Sequence, residues 1–143
     1  MKLEKYEMAL TEFGKAVRKA RIDANQTLMT MASILGTTPA FLSAMETGSK
    51  KISKKWVEAI DSFFKSKGIA IDGLSELASA ANEVVPVEGL THQQKMLVAG
   101  FAKSQWTPEQ LKQFAHLLER INNQQEGSDA NVSAKRPASN GNI

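Results

Sequence analysis

Residues 27–48 read TLMTMASILGTTPAFLSAMETG, and this stretch predicts two short helices separated by a tight turn. Its first half has apolar residues at the three- and four-residue spacing of one helix face, namely Leu28, Met31, Ala32 and Leu35. Gly36 provides the permissive backbone that a tight turn needs. Thr38 is a candidate N-cap, and Pro39 suits the first position of the second helix, which Gly48 would end. Two short helices joined by such a turn form the helix-turn-helix outline.

Matching residues extend beyond the turn, over roughly residues 11 to 65. They are Phe13-Gly14, Val17-Arg18-x-x-Arg21, Met31-Ala32, Leu35-Gly36, Ala40-Phe41-Leu42-Ser43, Glu46-x-Gly48 and Lys50-Lys51. With these residues the chain resembles the Xre/Cro family of helix-turn-helix DNA-binding proteins, which includes the lambdoid phage repressors. The resemblance implies a five-helix, lambda-repressor-like domain at residues 9–67, after an N-terminal arm at residues 1–8. It also implies a structural ion pair between Arg21 and Glu46, which ties the first helix to the end of the third.

The recognition helix is predicted at residues 39–47, with its N-terminal turn toward base edges in the major groove. The resemblance implies that the residues facing the bases are Thr38, Pro39, Ala40, Ser43 and Ala44. Better-known repressors carry Gln, Arg or Asn at several of these positions, and such side chains read adenine or guanine through paired hydrogen bonds. Methyl and hydroxyl groups discriminate bases only modestly. Readout of DNA shape, or base contacts from Lys50 and Lys51, are therefore open alternatives. Phe41 is expected in the core rather than against the sugar-phosphate wall.

Contacts to DNA phosphates are predicted on both sides of the recognition helix. Thr27 and Leu28 begin the preceding helix, whose free backbone N–H groups form an anion site. The residues expected to hold the opposite strand are Thr37, Ser49, Lys50 and Lys51. Lys54 and Lys55 either add to these contacts or belong to an ordinary solvated face. Such contacts set register and affinity without reading sequence.

The charge distribution favours nucleic-acid binding when it is combined with the helix-turn-helix pattern, whereas by itself it fits an ordinary solvated surface equally well. Residues 1–67 hold twelve Lys/Arg and seven Asp/Glu, giving +5, whereas residues 68–143 hold six and eight, giving −2; the sum is the net charge of +3. The positive half therefore coincides with the helix-turn-helix. There is no cysteine, and the two histidines lack a second ligand at metal spacing, so we predict no catalytic residue, metal or cofactor. No apolar run has the length of a membrane span and the polar start is no signal peptide, so a cytoplasmic location is expected.

Further helices are predicted at residues 9–23 and 53–67, and a short one at residues 74–83 after Asp72. Residues 84–90, VVPVEGL, differ in character, because they are β-branched and hold both a proline and a glycine. They are either a short extended strand, paired with its copy at a dimer interface, or a linker packed along the helices.

Two capped helices follow, at residues 92–105 and after Thr107-Pro108. Such a hairpin is too small to bury its apolar residues well. The helical region at residues 68–122 is therefore expected to serve dimerisation. From residue 123 onward the composition is dominated by Asn, Gln, Ser, Gly and Ala, which predicts a disordered tail over residues 123–143.

The sequence thus predicts an all-α transcriptional regulator that binds double-stranded DNA, as a homodimeric repressor on an inverted repeat. The alternative is an antitoxin of a toxin–antitoxin pair. In that case the same domain would autoregulate an operon, while the C-terminal half would neutralise a toxin. A third hypothesis is a protein-interaction adaptor that has lost DNA binding, and the apolar outer face of the recognition helix favours it. An adjacent toxin gene would distinguish the second hypothesis from the first.

Overall fold

The computed structural model describes the backbone of residues 10–140 and the side chains of residues 10–126. Over the described range the chain is all-α, as predicted. Its helices are α1 Glu12–Asp23, α2 Leu28–Leu35, α3 Pro39–Thr47, α4 Lys54–Lys65, α5 Leu74–Asn82, α6 His92–Lys103 and α7 Pro108–Asn140. They fall into two compact units, an N-terminal unit up to Glu88 and a C-terminal unit from Gly89. The predicted N-terminal arm, residues 1–8, lies outside the described residues.

Hydroxyl side chains begin each of the first four helices. In every case the side-chain oxygen accepts a hydrogen bond from the backbone N–H three residues further on, and the capping residues are Thr11, Thr27, Thr38 and Ser53. Each cap satisfies one of the N–H groups that a helix start leaves free. Helix α2 ends at Gly36 (φ 73°) and α3 at Gly48 (φ 83°), in the left-handed region that glycine adopts without strain. The local signals of residues 27–48 therefore predicted both helices and the turn between them.

The other helix boundaries differ from the prediction by a few residues. Helix α1 begins three residues after the predicted start at Ala9, because Thr11 is its cap. Helix α4 begins after Ser53 and ends at Lys65. Helix α5 begins after Gly73, which is left-handed and has no side chain to cap the helix. The predicted helix start at Asp72 is therefore not formed by an aspartate cap.

One apolar core holds the N-terminal unit together. Helix α1 packs on α3 and α5, α2 packs on α3 and α4, and α4 packs on α5. Its largest fully buried side chains are Phe13, Phe64, Met31, Leu42, Met45, Ile60 and Val17. Each contributes on the order of 1.5–3 kcal/mol by leaving water. The core therefore holds α3 against α1 and α2.

Within the single chain, residues 84–90 form no strand. The alternative of a strand paired with its copy requires a second subunit and stays a prediction. Helix α5 ends at Glu83, whose φ of 57° turns the chain away from the helix. Pro86 has no N–H to donate to a ladder, and Gly89 is left-handed at φ 82°. These two residues oppose the β preference of the valines around them.

The C-terminal unit is a helical hairpin of α6 and α7. Thr91 with Gln94, and Thr107 with Gln110, each exchange two hydrogen bonds as a capping box at the start of these helices. Trp106, in the turn, donates from its Nε1 to the carbonyl oxygen of Phe101 at 2.9 Å. Among the described side chains of residues 91–126 only Trp106 is half-buried, and all the others are exposed.

Helix α7 continues to Asn140, through the residues for which composition predicts a disordered tail. The predicted disorder of residues 123–143 stays a prediction, and residues 141–143 lie outside the described residues.

None of the described helices is by itself both long and apolar enough to cross a membrane. Only α2 and α3 taken together reach that length and hydropathy, and the chain bends by 106° between them.

Candidate nucleic-acid interface

Helices α2 and α3 form an exposed corner on the surface of the N-terminal unit. The chain turns by 106° between them, across the left-handed Gly36. Helix α3 buries Leu42 and Met45 on its inner side, at 2% and 1% exposure. Its N-terminal turn points away from the core, because Thr38 and Ala40 are exposed. Of the other residues predicted to face bases, Pro39, Ser43 and Ala44 are half-buried.

The predicted ion pair between Arg21 and Glu46 joins α1 to the C-terminal end of α3. Arg21 Nη1 donates to Glu46 Oε2 at 2.5 Å, and Nη2 donates to Oε1 at 3.5 Å. Both residues are buried, at 8% and 6% exposure. A two-point contact of this kind restricts direction as well as distance. Helix α3 is thereby held at a defined angle to α1.

A second contact between the same helices uses the backbone of Glu46. Its carbonyl oxygen accepts from the Thr11 N–H at 3.1 Å and from the Thr11 hydroxyl at 3.2 Å. Helix α1 approaches so closely here that a Cβ placed on Gly14 would lie 2.1 Å from this oxygen. Gly14 is therefore the residue that permits the contact, since any side chain would push the helices apart.

Asn82, at the end of α5, fixes the loop that follows α3. Its side-chain oxygen accepts from the Ile52 N–H and its side-chain nitrogen donates to the Ile52 carbonyl, both at 2.8 Å. Its main-chain carbonyl also accepts from Lys51 Nζ at 2.5 Å. Sequence reasoning did not find this residue, because nothing around an asparagine at a helix end indicates a partner thirty positions earlier.

The exposed charge around the corner is positive. Between residues 24 and 57 the sequence has one acidic residue, Glu46, and four lysines. Glu46 is buried against Arg21, whereas Lys50, Lys51, Lys54 and Lys55 are all exposed. An anionic polymer approaching these lysines would therefore meet no exposed acidic side chain from residues 24–57.

The two lysines predicted to contact DNA differ in their surroundings. Lys51 is exposed, but its ammonium group donates to the carbonyl of Asn82. Lys50 is also exposed and takes part in none of the ion pairs formed among the described residues, which are Lys15–Glu12, Arg21–Glu46 and Lys65–Asp61. Lys50 is therefore the better placed of the two to bind a phosphate.

The start of α2 has the geometry of an anion site. Thr27 and Thr30 form a capping box, in which each side-chain oxygen accepts the backbone N–H of the other. The N–H groups of Leu28 and Met29 precede the first hydrogen bond of the helix backbone, which Met31 donates to Thr27. The Leu28 side chain is half-buried, so what this residue offers a phosphate is its main chain.

The remaining predicted contact residues also lie near the corner. Thr37 is half-buried in the turn before α3, and Ser49 is exposed in the loop after it. The Ser49 hydroxyl is 3.1 Å from the hydroxyl of Thr47, within hydrogen-bonding distance. Phe41 packs on Trp56 of α4 with a ring separation of 5.2 Å, which favours the core interpretation over a wedge against DNA.

Chemically, the corner offers hydroxyl groups, methyl groups, backbone N–H groups and ammonium groups. Within residues 10–126 no three His, Cys, Asp or Glu side chains come together as a metal site. Comparison with protein-family models, curated proteins and solved structures found no match to this chain. The geometry and charge of the corner are therefore the features that bear on function.

Proposed function

We propose that this protein is a sequence-specific DNA-binding transcriptional regulator of the helix-turn-helix type, with α3 as its recognition helix. One observation carries the proposal: the N-terminal turn of α3 projects from the surface, while its opposite side is fixed to α1. A helix presented in this way fits the major groove of B-DNA, which is about 12 Å wide. Helix α2 would then cross the backbone, as the first helix of the motif does.

Electrostatics supports the same orientation of the protein on DNA. The N–H groups at the start of α2 would bind one phosphate strand, and Lys50, beyond the end of α3, would bind the other. The only carboxylate between residues 24 and 57 is buried with its arginine partner, so it adds no repulsion at the surface. Neutralised phosphates release counterions, and the affinity should fall steeply with salt.

The exposed side chains of α3 limit how sequence is read. Ala40 can contact a thymine methyl group, and Thr38 can make a single hydrogen bond to a base. A bidentate contact would supply about 1–3 kcal/mol of discrimination per base pair, and α3 has no side chain able to make one. Much of the sequence preference is therefore assigned to DNA shape and deformability.

A repressor of this kind would act as two copies on an inverted repeat. Two-fold symmetry would place the recognition helices about 34 Å apart, one turn of the duplex, or a multiple of it. Occupancy of such a site within a promoter would exclude the transcription machinery.

The decisive experiment selects preferred sites from a random duplex library with the wild-type protein and with Ala40→Arg. Ala40 is exposed in the first turn of α3, so an arginine there can reach a base edge without disturbing the core. We expect the variant to enrich guanine at one additional position per half-site, since arginine reads guanine O6 and N7.

The matched control is Ser75→Arg, which adds the same charge at an exposed position of α5. It should leave the selected sequences unchanged. If Ala40→Arg selects the same sequences as the wild type, or if no duplex is enriched by either protein, α3 is not the recognition helix.

A further inference from the structure

We infer that the C-terminal unit is a self-association module, in which the α6–α7 hairpins of two copies of this chain pack face to face as a four-helix bundle. The inference deepens the proposed function, on which it rests for its role in DNA binding. It names the partner as a second copy and places the contact on the hairpin, outside the N-terminal unit.

The hairpin presents an apolar face that nothing in its own unit covers. Nine large apolar side chains between Met96 and Ile121 are each 37–68% exposed, and none of the described side chains of residues 91–126 is buried. Phe101, Trp106 and Phe114 form an aromatic cluster with ring separations of 4.8–5.7 Å, which closes the hairpin at its turn. The hairpin is therefore shaped by its own contacts but left half-solvated.

The size of this face matches what a stable dimer needs. An aromatic side chain can bury about 150–250 Å², and a large aliphatic side chain somewhat less. At the exposures given, the nine side chains together present on the order of 800 Å², which is about the area that one partner contributes to a standard interface. Isolated exposed apolar residues are common on protein surfaces, but apolar residues that recur at helical spacing, as Leu111, Phe114, Leu118 and Ile121 do on α7, form a stripe typical of an interaction site.

Charge favours a second copy of the hairpin over a nucleic acid as the occupant. Residues 92–126 hold four cationic side chains (Lys95, Lys103, Lys112, Arg120) and three anionic ones (Glu109, Glu119, Glu126). Two copies so close to neutrality do not repel each other, and no basic face is offered to phosphates. Helix pairs with unburied apolar stripes are also the components of a four-helix bundle, and a two-fold axis lets the same surface serve both partners.

The linker is long enough for such a bundle to serve two DNA-binding units. The eight residue steps from Glu83 to Thr91 contain no helix and reach at most about 26–29 Å when extended. Two linkers together exceed the separation of about 34 Å between adjacent half-sites. One bundle can therefore hold two N-terminal units on neighbouring major grooves.

The test is the mass of the full chain in solution without DNA, by size-exclusion chromatography with light scattering over a dilution series. We expect the wild type at twice the chain mass of 15.6 kDa. Leu118→Glu places a charge within the apolar face at a side chain that is 51% exposed, so the hairpin itself can tolerate it. This variant should run at 15.6 kDa. Asn123→Glu, on the polar side of α7, adds the same charge and should keep the dimer mass.

Circular dichroism of each variant controls for the loss of helix. Should Leu118→Glu lose helix content, Leu97→Glu repeats the test on α6, where the side chain is 68% exposed. A monomeric wild type, a stoichiometry other than two, or a folded charge variant that stays dimeric overturns the inference.

The DNA readout separates this inference from the proposed function. If the proposed function and the self-association are both correct, monomeric Leu118→Glu binds DNA with a single half-site as tightly as the wild type does. Its affinity for DNA that carries two half-sites should be at least tenfold lower. A dimer that binds no DNA would overturn the proposed function and leave the self-association standing.

Discussion

Side chains cap four of the five helices of the N-terminal unit and both helices of the C-terminal unit, but the two units differ completely in what those helices bury. The N-terminal unit encloses thirteen apolar side chains at 5% exposure or less. The C-terminal unit, over its described side chains at residues 91–126, encloses none. The difference follows from the number of helices, since five short helices can surround a core whereas two can only lie side by side.

Capping and amphipathic spacing therefore decide where a helix forms. The number of helices packed against it decides whether its apolar face is buried. Thr91 and Thr107 start their helices with the same hydrogen bonds as Thr27. The apolar stripes of α6 and α7 nevertheless remain half-exposed, because each faces only one neighbour. Stability in the first unit should thus depend on its core, and stability in the second on association.

The largest expected difference is between Phe64→Ala and Phe114→Ala. Phe64 is 0% exposed in the N-terminal core, so its removal leaves a cavity and should lower the free energy of unfolding of that unit by about 3–5 kcal/mol. Phe114 is 39% exposed, and its removal should leave this transition unchanged. Urea denaturation followed by Trp56 fluorescence in a Trp106→Phe background reports on the N-terminal unit alone. Equal shifts for both variants would mean that the two units share one core.

The next largest effect concerns the buried ion pair, which only a unit with a core can hold. Glu46→Leu leaves Arg21 charged and buried without a partner, and should cost about 3 kcal/mol of unfolding free energy. The double variant Arg21→Met with Glu46→Leu removes both charges and should recover most of that loss. Chemical denaturation of the single and double variants forms the measurement.

An exposed ion pair on the same unit is the control. Lys65 and Asp61 are 2.9 Å apart, with side chains 65% and 32% exposed. Asp61→Ala should change the unfolding free energy by less than about 1 kcal/mol, since exposed pairs contribute little. If the losses from Arg21→Met and Glu46→Leu simply add in the double variant, the pair is not coupled as the structure requires.

Local features of the site could be predicted from the sequence. The caps Thr27 and Thr38 and the left-handed Gly36 act within four residues of themselves, so their signals are visible in a short window. The pairing of Arg21 with Glu46 spans 25 positions, and no periodicity predicts it. It followed from the resemblance to a known family, and the contact is present in the structure.

Other features depend on tertiary contacts and left no local signal. In the sequence, Asn82 cannot be distinguished from any other polar residue at a helix end. Only the fold brings the Ile52 backbone to its side-chain amide. The sequence of residues 84–90 fits both a strand and a linker, because valine favours strands while Pro86 disfavours them. The sequence predicts the same DNA-contacting role for Lys51 and Lys50. Only the structure shows that the Lys51 ammonium donates to a backbone carbonyl.

A smaller effect separates two helical glycines, one in each unit. A Cβ on Gly14 would meet the Glu46 carbonyl oxygen at 2.1 Å, so Gly14→Ala should force α1 and α3 apart and cost about 1–3 kcal/mol. A Cβ on Gly100 would meet nothing within 4 Å, so Gly100→Ala should instead stabilise α6 by about 0.5–1 kcal/mol through helix propensity. Thermal unfolding followed by circular dichroism measures both changes: the melting temperature should fall for Gly14→Ala and rise for Gly100→Ala. A neutral Gly14→Ala would show that the two helices are not held at this distance.

The smallest expected effect separates two exposed lysines and concerns DNA rather than stability. If Lys50 binds a phosphate, Lys50→Ala should weaken binding to all duplexes alike. It should also lower the slope of log affinity against log salt by about 1 for each bound copy of the chain. Lys103→Ala removes the same charge from the C-terminal unit, whose balanced charges offer no phosphate site, and should leave that slope unchanged. Fluorescence anisotropy with one labelled duplex at several salt concentrations measures both variants. Equal reductions in slope would mean that DNA contacts both units. That result would contradict the proposal that the N-terminal unit binds DNA and the C-terminal unit serves self-association.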